Sequence, residues 1–107
     1  MANTYVNAKV DLAATSVTTL YTCATSTTAI VKSIIVSEDS GNADTITATL
    51  TTAAGAVFSL FKVKSVSANT TLELLSAPLV VQAEEILKVT AATADRLHVV
   101  ASILEIT

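Results

Sequence analysis

The sequence predicts an all-β protein, a single antiparallel β-sandwich of about eight short strands that is jelly-roll-like or immunoglobulin-like. Three observations predict this fold. Apolar and polar residues alternate with a period of two over several short segments. Turn residues separate these segments at intervals of roughly ten residues, which is typical of a sandwich or barrel. Threonine, valine and isoleucine are common, and their β-branched side chains favour strands.

The chain opens with two candidate strands, residues 5–12 and 17–23. Residues 1–8 are a candidate arm that precedes the rest of the sandwich. Together with the segments that follow, the 107 residues predict one domain, residues 1–107, with no linker and no internal repeat.

Residues 28–37 and 44–51 predict a β-hairpin. The first strand is apolar at positions of both parities, with Ile30, Ile34 and Val36 on one face and Val31 and Ile35 on the other. We therefore expect it to be covered on both sides. The second strand alternates strictly, with isoleucine, alanine and leucine on one face and threonines on the other. The turn between them contains Gly41 and acidic residues that are expected to stay solvated.

The second half of the chain supplies the remaining candidate strands, which are 57–66, 70–74, 79–81, 86–91 and 97–106. Within 57–66 the apolar parity changes, from Phe58 and Leu60 to Phe61 and Val63. A parity change of this kind predicts a β-bulge. Residues 83–89 would also suit a helical turn.

Composition excludes several classes of protein. The net charge is -3 and only 14% of residues are charged, so the chain lacks the basic surface of a nucleic-acid-binding module. No apolar stretch approaches the roughly 18 residues of a membrane helix, and the first residues lack the basic and apolar regions from which we would expect a signal peptide. The chain is nevertheless 51% hydrophobic with a mean hydropathy of +0.64. Low charge on so apolar a chain indicates that other subunits cover part of its surface.

No residue pattern predicts catalysis, and we expect no catalytic, metal-binding or cofactor-binding residues. His98 is the only histidine and has no converging partners in the sequence, so a surface or interface histidine is expected. Glu84 and Glu85 are adjacent, which does not place two carboxyls across a cleft. The acidic turn of residues 38–44 could bind a cation weakly, although its spacing is not that of an EF-hand. Cys23, the only cysteine, is expected to be a small buried hydrophobe.

The candidate functional residues are instead apolar positions on the face of a strand opposite the core. Residues 28–37 and 97–106 are each apolar on both parities, which favours burial between subunits. The candidate interface residues are Val31, Ile35, Val100, Leu104 and Ile106.

Several segments resemble a group of small virion structural proteins of tailed bacteriophages. They are Leu-Tyr-Thr-Cys-Ala at 20–24, Thr-Ala-Ile-Val-Lys-Ser-Ile-Ile-Val at 28–36, Ala-Asp-Thr-Ile-Thr at 43–47, Leu-Val-Val-Gln-Ala-Glu-Glu-Ile-Leu-Lys-Val at 79–89 and Leu-His-Val-Val-Ala-Ser-Ile-Leu-Glu-Ile at 97–106. The resemblance spans about residues 17–107. Ala24 stands where the group usually has proline, and Glu84 and Glu85 replace a glycine-acid turn.

The resemblance implies a small β-sandwich mounted on a virus particle, with no catalytic residues to carry over. Three functions remain open. The first is a capsid decoration or cement protein that sits over shell subunits as an oligomer, such as a trimer, and binds the major capsid protein through an edge strand or residues 1–9. The second is a ring, adaptor or collar protein of the tail or neck. The third is a carbohydrate-binding host-attachment module, which the absence of tryptophan disfavours. In each case we expect a location on the virion, with no nucleic acid, membrane or cofactor as partner.

Overall fold

The computed structural model describes residues 2–107 and contains nine β-strands, where the sequence predicted about eight. The strands are β1 (Asn3–Asp11), β2 (Thr18–Thr22), β3 (Thr28–Glu38), β4 (Asp44–Thr51), β5 (Val57–Val66), β6 (Thr71–Glu73), β7 (Leu79–Val81), β8 (Ile86–Ala91) and β9 (Leu97–Ile106). Residues 83–89, for which a helical turn was an alternative, form a turn and the first part of β8. Among residues 2–107 no helix is long and apolar enough to cross a membrane.

The strands form two antiparallel sheets, which confirms the predicted β-sandwich. The first sheet has the order β1-β9-β3-β6, with β7 also paired to β3, and the second has the order β2-β8-β4-β5. The chain alternates between the sheets at β1, β2, β3 and β4, and again at β7, β8 and β9. In an immunoglobulin domain the first two strands instead share a sheet, so this order selects the jelly roll from the two predicted alternatives. Because β3 and β4 lie in different sheets and do not pair, the β-hairpin predicted for residues 28–37 and 44–51 is wrong.

The core lies between the inner faces of the two sheets. It consists almost entirely of aliphatic residues, in keeping with a chain of only 4% aromatic residues. The fully buried side chains with the largest volumes are Leu12, Ile34, Ile46, Leu87, Leu97 and Ile103. Alternation places these residues inward on their strands and leaves the intervening residues on the outer faces.

A register shift in β3 corrects the predicted faces of that strand. The pairing of β3 with β9 shifts between Val31 and Ser33, so Lys32 is an extra residue in the ladder. As a consequence Val31 and Ile34 both point into the core, and Ile30 and Ile35 both lie on the outer face. Strict alternation had placed Val31 beside Ile35, and that assignment was wrong because a bulge reverses the parity of every residue beyond it.

The bulge predicted in residues 57–66 is confirmed. The pairing of β4 with β5 shifts on both sides of Ala48, and Val63 adopts a left-handed backbone with φ of 53°. The N–H group of Val63 donates a hydrogen bond of 3.0 Å to Thr47 Oγ1. As a result β5 departs from the regular ladder along its middle.

Residues 3–8 belong to the sandwich, which corrects the expectation of a separate arm over residues 1–8. They form most of β1, and each pairs with a residue of β9 in one continuous register, from Asn3 opposite Ile106 to Asp11 opposite His98. Alternate residues Val6, Ala8 and Val10 pack against the core, and this contact holds the strand in the sheet. Met1 lies outside the described residues.

Candidate interaction surface

An apolar row crosses the outer face of the first sheet. The strand register places Tyr5 of β1 opposite Leu104, Leu104 opposite Ile30, and Ile30 opposite Val80. Residues directly opposite one another on antiparallel strands share a face, with Cβ atoms about 5 Å apart. The row therefore runs without interruption over four strands.

A second row lies four residues further along the strands on the same face, as from Leu104 to Val100 on β9. Val100 is opposite Ile35, between Lys9 on one side and Glu73 on the other. The exposed fractions are 72% for Tyr5, 51% for Val80, 39% for Val100 and 36% for Ile35. Together these positions form what we call the apolar face, which consists of Tyr5, Ile30, Ile35, Val80, Val100, Leu104 and Ile106.

The structure brings four of the five sequence-predicted interface residues onto the apolar face. They are Ile35, Val100, Leu104 and Ile106. Val31 is not among them, because it lies in the core with 0% of its surface exposed. The sequence did not predict Tyr5, Ile30 or Val80 on this face. Tyr5 and Val80 follow only from the pairing of β1 with β9 and of β7 with β3, and Ile30 follows from the bulge in β3.

Polar residues separate and border the two apolar rows. Asn7, Ser102 and Ser33 lie between the rows, on β1, β9 and β3. At one end of the face, His98 Nε2 lies 3.3 Å from Asp11 Oδ1 and His98 Nδ1 lies 3.6 Å from Asp39 Oδ2. The histidine is partly exposed at the border of the surface. No cluster of ligands that could hold a metal ion occurs within residues 2–107.

The outer face of the second sheet is lined by hydroxyl groups. Thr47 lies opposite Thr90, and Thr49 lies opposite both Lys88 and Ser59. This surface carries the threonines of the strictly alternating strand, now β4, except Thr51, which is buried. The centre of this outer face is thus polar, whereas the edge strand β5 exposes Val57, Phe58 and Val63.

The acidic turn after β3 has a structural role that the sequence did not reveal. Glu38 was expected to be solvated, but it is buried at the C-terminal end of β3. Its carboxylate accepts hydrogen bonds from the N–H groups of Ser40 (2.9 Å), Gly41 (3.1 Å) and Asn69 (3.0 Å), and from the Ser40 hydroxyl. Because Asn69 belongs to the turn between β5 and β6, one carboxylate holds two turns together.

This arrangement also explains the acidity of Glu38 and leaves it little capacity for a cation. Burial raises the pKa of the Glu38 carboxyl, but hydrogen bonds from Ser40, Asn69 and Gly41 outweigh burial and lower the pKa from 4.5 to about 2. Asp44 likewise accepts N–H groups, from Thr45 at 2.8 Å and from Thr93 at 3.1 Å. Two of the three carboxylates of the suggested cation site therefore bind backbone amides, and the third, Asp39, lies beside His98.

A third carboxylate accepts hydrogen bonds from backbone groups at the edge of the first sheet. The Glu73 carboxylate accepts the N–H groups of Ile34 (2.8 Å) and Leu75 (3.2 Å) and the Ser33 hydroxyl. Burial raises the pKa of the Glu73 carboxyl, but these hydrogen bonds lower it by more, so the net shift is downward. Since β6 pairs with residues 35–37 of β3 and β7 with residues 29–31, Glu73 occupies the gap between the two short strands.

The buried titratable groups do not form a catalytic arrangement. The Tyr21 hydroxyl donates a hydrogen bond to Glu105, and burial together with this carboxylate raises the pKa of Tyr21. Cys23 is buried, as predicted, with its Sγ donating to the Thr27 carbonyl at 3.3 Å. Burial raises the pKa of the Cys23 thiol, which keeps it protonated and unreactive.

The fold is similar to that of solved structures from a bacterial surface fibre and from a virus. A structure of Bacillus endospore appendages, described as disulfide-linked pili, aligns with 99% of this chain and 87% of its own, at a TM-score of 0.59 and 14% identity. A structure of infectious bursal disease virus, Gx strain, aligns with 96% of this chain at a TM-score of 0.52 and 12% identity, over 28% of the viral chain. No protein-family model and no curated protein matches the sequence. At these identities the similarity shows a shared fold and no more.

Proposed function

We propose that this chain is a non-enzymatic structural subunit of a tailed-bacteriophage virion, and that it decorates and strengthens the capsid. The apolar face carries the proposal. A sheet that exposes tyrosine, valine, isoleucine and leucine to solvent is stabilised when another protein covers it, because apolar surface is removed from water. The major capsid protein is the proposed partner, and residues such as Val100 and Ile35 are the proposed centre of contact.

Two further observations support a structural rather than an enzymatic role. The titratable side chains that are buried, such as Glu38, hold turns and sheet edges in place. The resemblance of residues 17–107 to small virion proteins of tailed phages points to the same class of assembly, and a jelly-roll sandwich suits a protein that must stay folded outside a cell.

A subunit of a surface fibre is a less well supported alternative. The Bacillus appendages with a similar fold are described as disulfide-linked. This chain has one cysteine, Cys23, and that residue is buried between the sheets. Linking subunits through Cys23 would require the core to open, so we favour a non-covalent interface.

The direct test is binding of the purified chain to empty shells built from the major capsid protein encoded in the same genome. We expect the wild-type chain to sediment with the shells and Ile35→Asp to bind about 10- to 100-fold more weakly, because burial of one such side chain is worth roughly 1.5–3 kcal/mol. The matched control is Thr49→Asp, a substitution on the outer face of the second sheet that should leave binding unchanged.

Each result bears on the proposal. Equal loss of binding in both variants would show that the apolar face is not the contact surface. If the wild-type chain ignores the shells but sediments with isolated tails or necks, the decoration function is wrong and the tail or neck function replaces it.

A further inference from the structure

The free edge of β1 carries an inference that does not depend on the proposed function. Ala2 and Thr107 exchange two backbone hydrogen bonds, of 3.0 and 2.9 Å, and Leu12 donates to Leu97 at 3.0 Å. Hydrogen-bonded and non-hydrogen-bonded pairs alternate along an antiparallel ladder. The odd-numbered residues of β1 therefore point their N–H and C=O groups away from β9, and these are Asn3, Tyr5, Asn7, Lys9 and Asp11.

The other sheet edges are each protected against pairing with another chain. β2 is five residues long, and its register shifts between Thr19 and Tyr21. β5 has two register shifts, a left-handed Val63 and flanking lysines. β6 and β7 have three residues each, and the Glu73 side chain fills the space between them. Shortness, bulges and charge are the usual means by which proteins block their edges.

β1 carries the charged residues Lys9 and Asp11 but is neither short nor bulged, unlike the other edges. It is nine residues long, its register has no shift, and it contains neither proline nor glycine. Such an edge presents a complete set of unpaired backbone groups to another strand. We propose that β1 pairs antiparallel with β1 of a second copy of this chain, across a two-fold axis at Asn7.

The side chains of β1 are complementary in this register. Antiparallel pairing centred on Asn7 places Tyr5 opposite Lys9 of the second copy and Asn3 opposite Asp11 of the second copy. Lysine over a tyrosine ring gains a cation–π contact, and asparagine can donate to a carboxylate. At the axis the two Asn7 amides face each other and can exchange hydrogen bonds.

Other registers are less favourable. Centring the pair on Lys9 would bring two lysines together and would leave residues near Asn3 unpaired. Centring it on Tyr5 would leave the backbone groups of Asp11 unpaired. Only pairing about Asn7 uses the whole strand and also avoids like charges, which destabilise a pair when they lie directly opposite each other.

The pairing would join the first sheets of two copies into one continuous sheet. A two-fold axis perpendicular to the sheet keeps both apolar faces on the same side. The pair would therefore present a doubled apolar surface to a partner. This closed dimer replaces the trimer or ring expected from the sequence.

The test begins with the mass of the isolated chain in solution, measured by light scattering. We expect a dimer of about 22 kDa, twice the 11.0 kDa chain. Asn7→Pro should give a monomer with an unchanged far-ultraviolet spectrum, because proline removes an N–H group that points away from β9. Asn7→Ala is the matched control, since it keeps that N–H group and should remain a dimer.

Cysteine substitutions test the register independently of proline. The Cα atoms of a hydrogen-bonded pair are about 5.5 Å apart, which a disulfide can span, so Asn7→Cys should form a covalent dimer under mild oxidation. Tyr5→Cys should not, because the two substituted positions would lie about 13 Å apart along the strands. The native Cys23 is buried, so we expect it to form no cross-link under these conditions.

Four results would overturn the pairing: a wild-type monomer up to hundred-micromolar concentration, a trimer or ring, a dimer that survives Asn7→Pro, or no cross-link through Asn7→Cys. Should Asn7→Pro fail to fold, the cysteine variants decide. A dimer that does not bind shells would contradict the proposed function alone, and a monomer that binds shells would contradict the pairing alone.

Discussion

The two outer faces of the sandwich are built by the same alternation but differ in chemistry at their centres. The central strands of the first sheet carry outward Ile35 and Val100, whereas those of the second sheet carry mainly threonine and lysine, as at Thr47 and Lys88. The exposed apolar residues of the second sheet lie on its edge strand β5, as at Val57. Both sheets bury an aliphatic inner face equally well. The apolar face is therefore not required by the core, and we infer that it is there for contact with another protein.

The largest expected effect comes from placing the same charged side chain on the core side and on the outer side of β3. Val31→Asp places a charge in the core without a partner, so we expect a loss of more than about 4 kcal/mol and an unfolded chain. Ile35→Asp places the same charge on the apolar face, where we expect a loss of only about 1 kcal/mol. Urea unfolding followed by circular dichroism measures both.

This pair of variants tests the bulge in β3 as well as the two faces. With strict alternation along β3, Val31 and Ile35 would share a face and the two aspartates would have similar effects. A stable Val31→Asp protein would therefore show that the register shift between Val31 and Ser33 is wrong.

The next effect in size concerns Glu38, the buried carboxylate at the end of β3. Glu38→Gln removes the charge that binds N–H groups of two turns, so we expect a lower free energy of unfolding at neutral pH. Because folding lowers the pKa of Glu38 from 4.5 to about 2, its stabilising effect is complete above pH 4.5 and is lost as the pH falls towards 2.

Unfolding curves of the wild type and Glu38→Gln between pH 7 and pH 2 measure this effect. The two free energies of unfolding should converge as the pH falls, since protonated Glu38 resembles glutamine. A constant difference over the whole range would contradict the role assigned to the charge. Ser37→Ala, on the opposite face of the same strand, is the control and should keep the pH dependence of the wild type.

The comparison also shows what the sequence could and could not predict. Local patterns predicted the sandwich, the two strands on either side of the turn at Gly41 and the bulge near Val63, because alternation, turn residues and parity changes are properties of neighbouring residues. They did not predict that β3 and β4 enter different sheets, so the predicted hairpin was wrong. The bulge at Lys32 escaped prediction because both faces of β3 are apolar there, so a parity change leaves no trace in the sequence.

Features that depend on distant pairs could not be predicted. The bond from Asn69 to Glu38 joins residues 31 positions apart, and the apolar row that includes Tyr5 needs the pairing of β1 with β9. No periodicity within a single segment encodes either contact. For the same reason the candidate surface was predicted from β3 and β9 but not from β1.

The smallest expected effect sharpens the contrast between the regular edge at β1 and the interrupted edge at β5. Val63 has a φ of 53°, a conformation that costs a β-branched residue about 1 kcal/mol or more. Asparagine tolerates this conformation and keeps the N–H group that donates to Thr47. We therefore expect Val63→Asn to stabilise the chain by roughly 0.5–1 kcal/mol, measured by thermal unfolding.

The matched control is Val57→Asn on the same strand. Val57 is 63% exposed and Val63 is 59% exposed, so the two substitutions remove similar exposed apolar surface. Val57 has no left-handed backbone, and asparagine is a weaker strand former than valine, so Val57→Asn should be neutral or slightly destabilising. If both variants shift the unfolding temperature equally, the strain at Val63 is absent. If only Val63→Asn stabilises, β5 retains a costly backbone conformation, which is what protection of an edge against pairing would require.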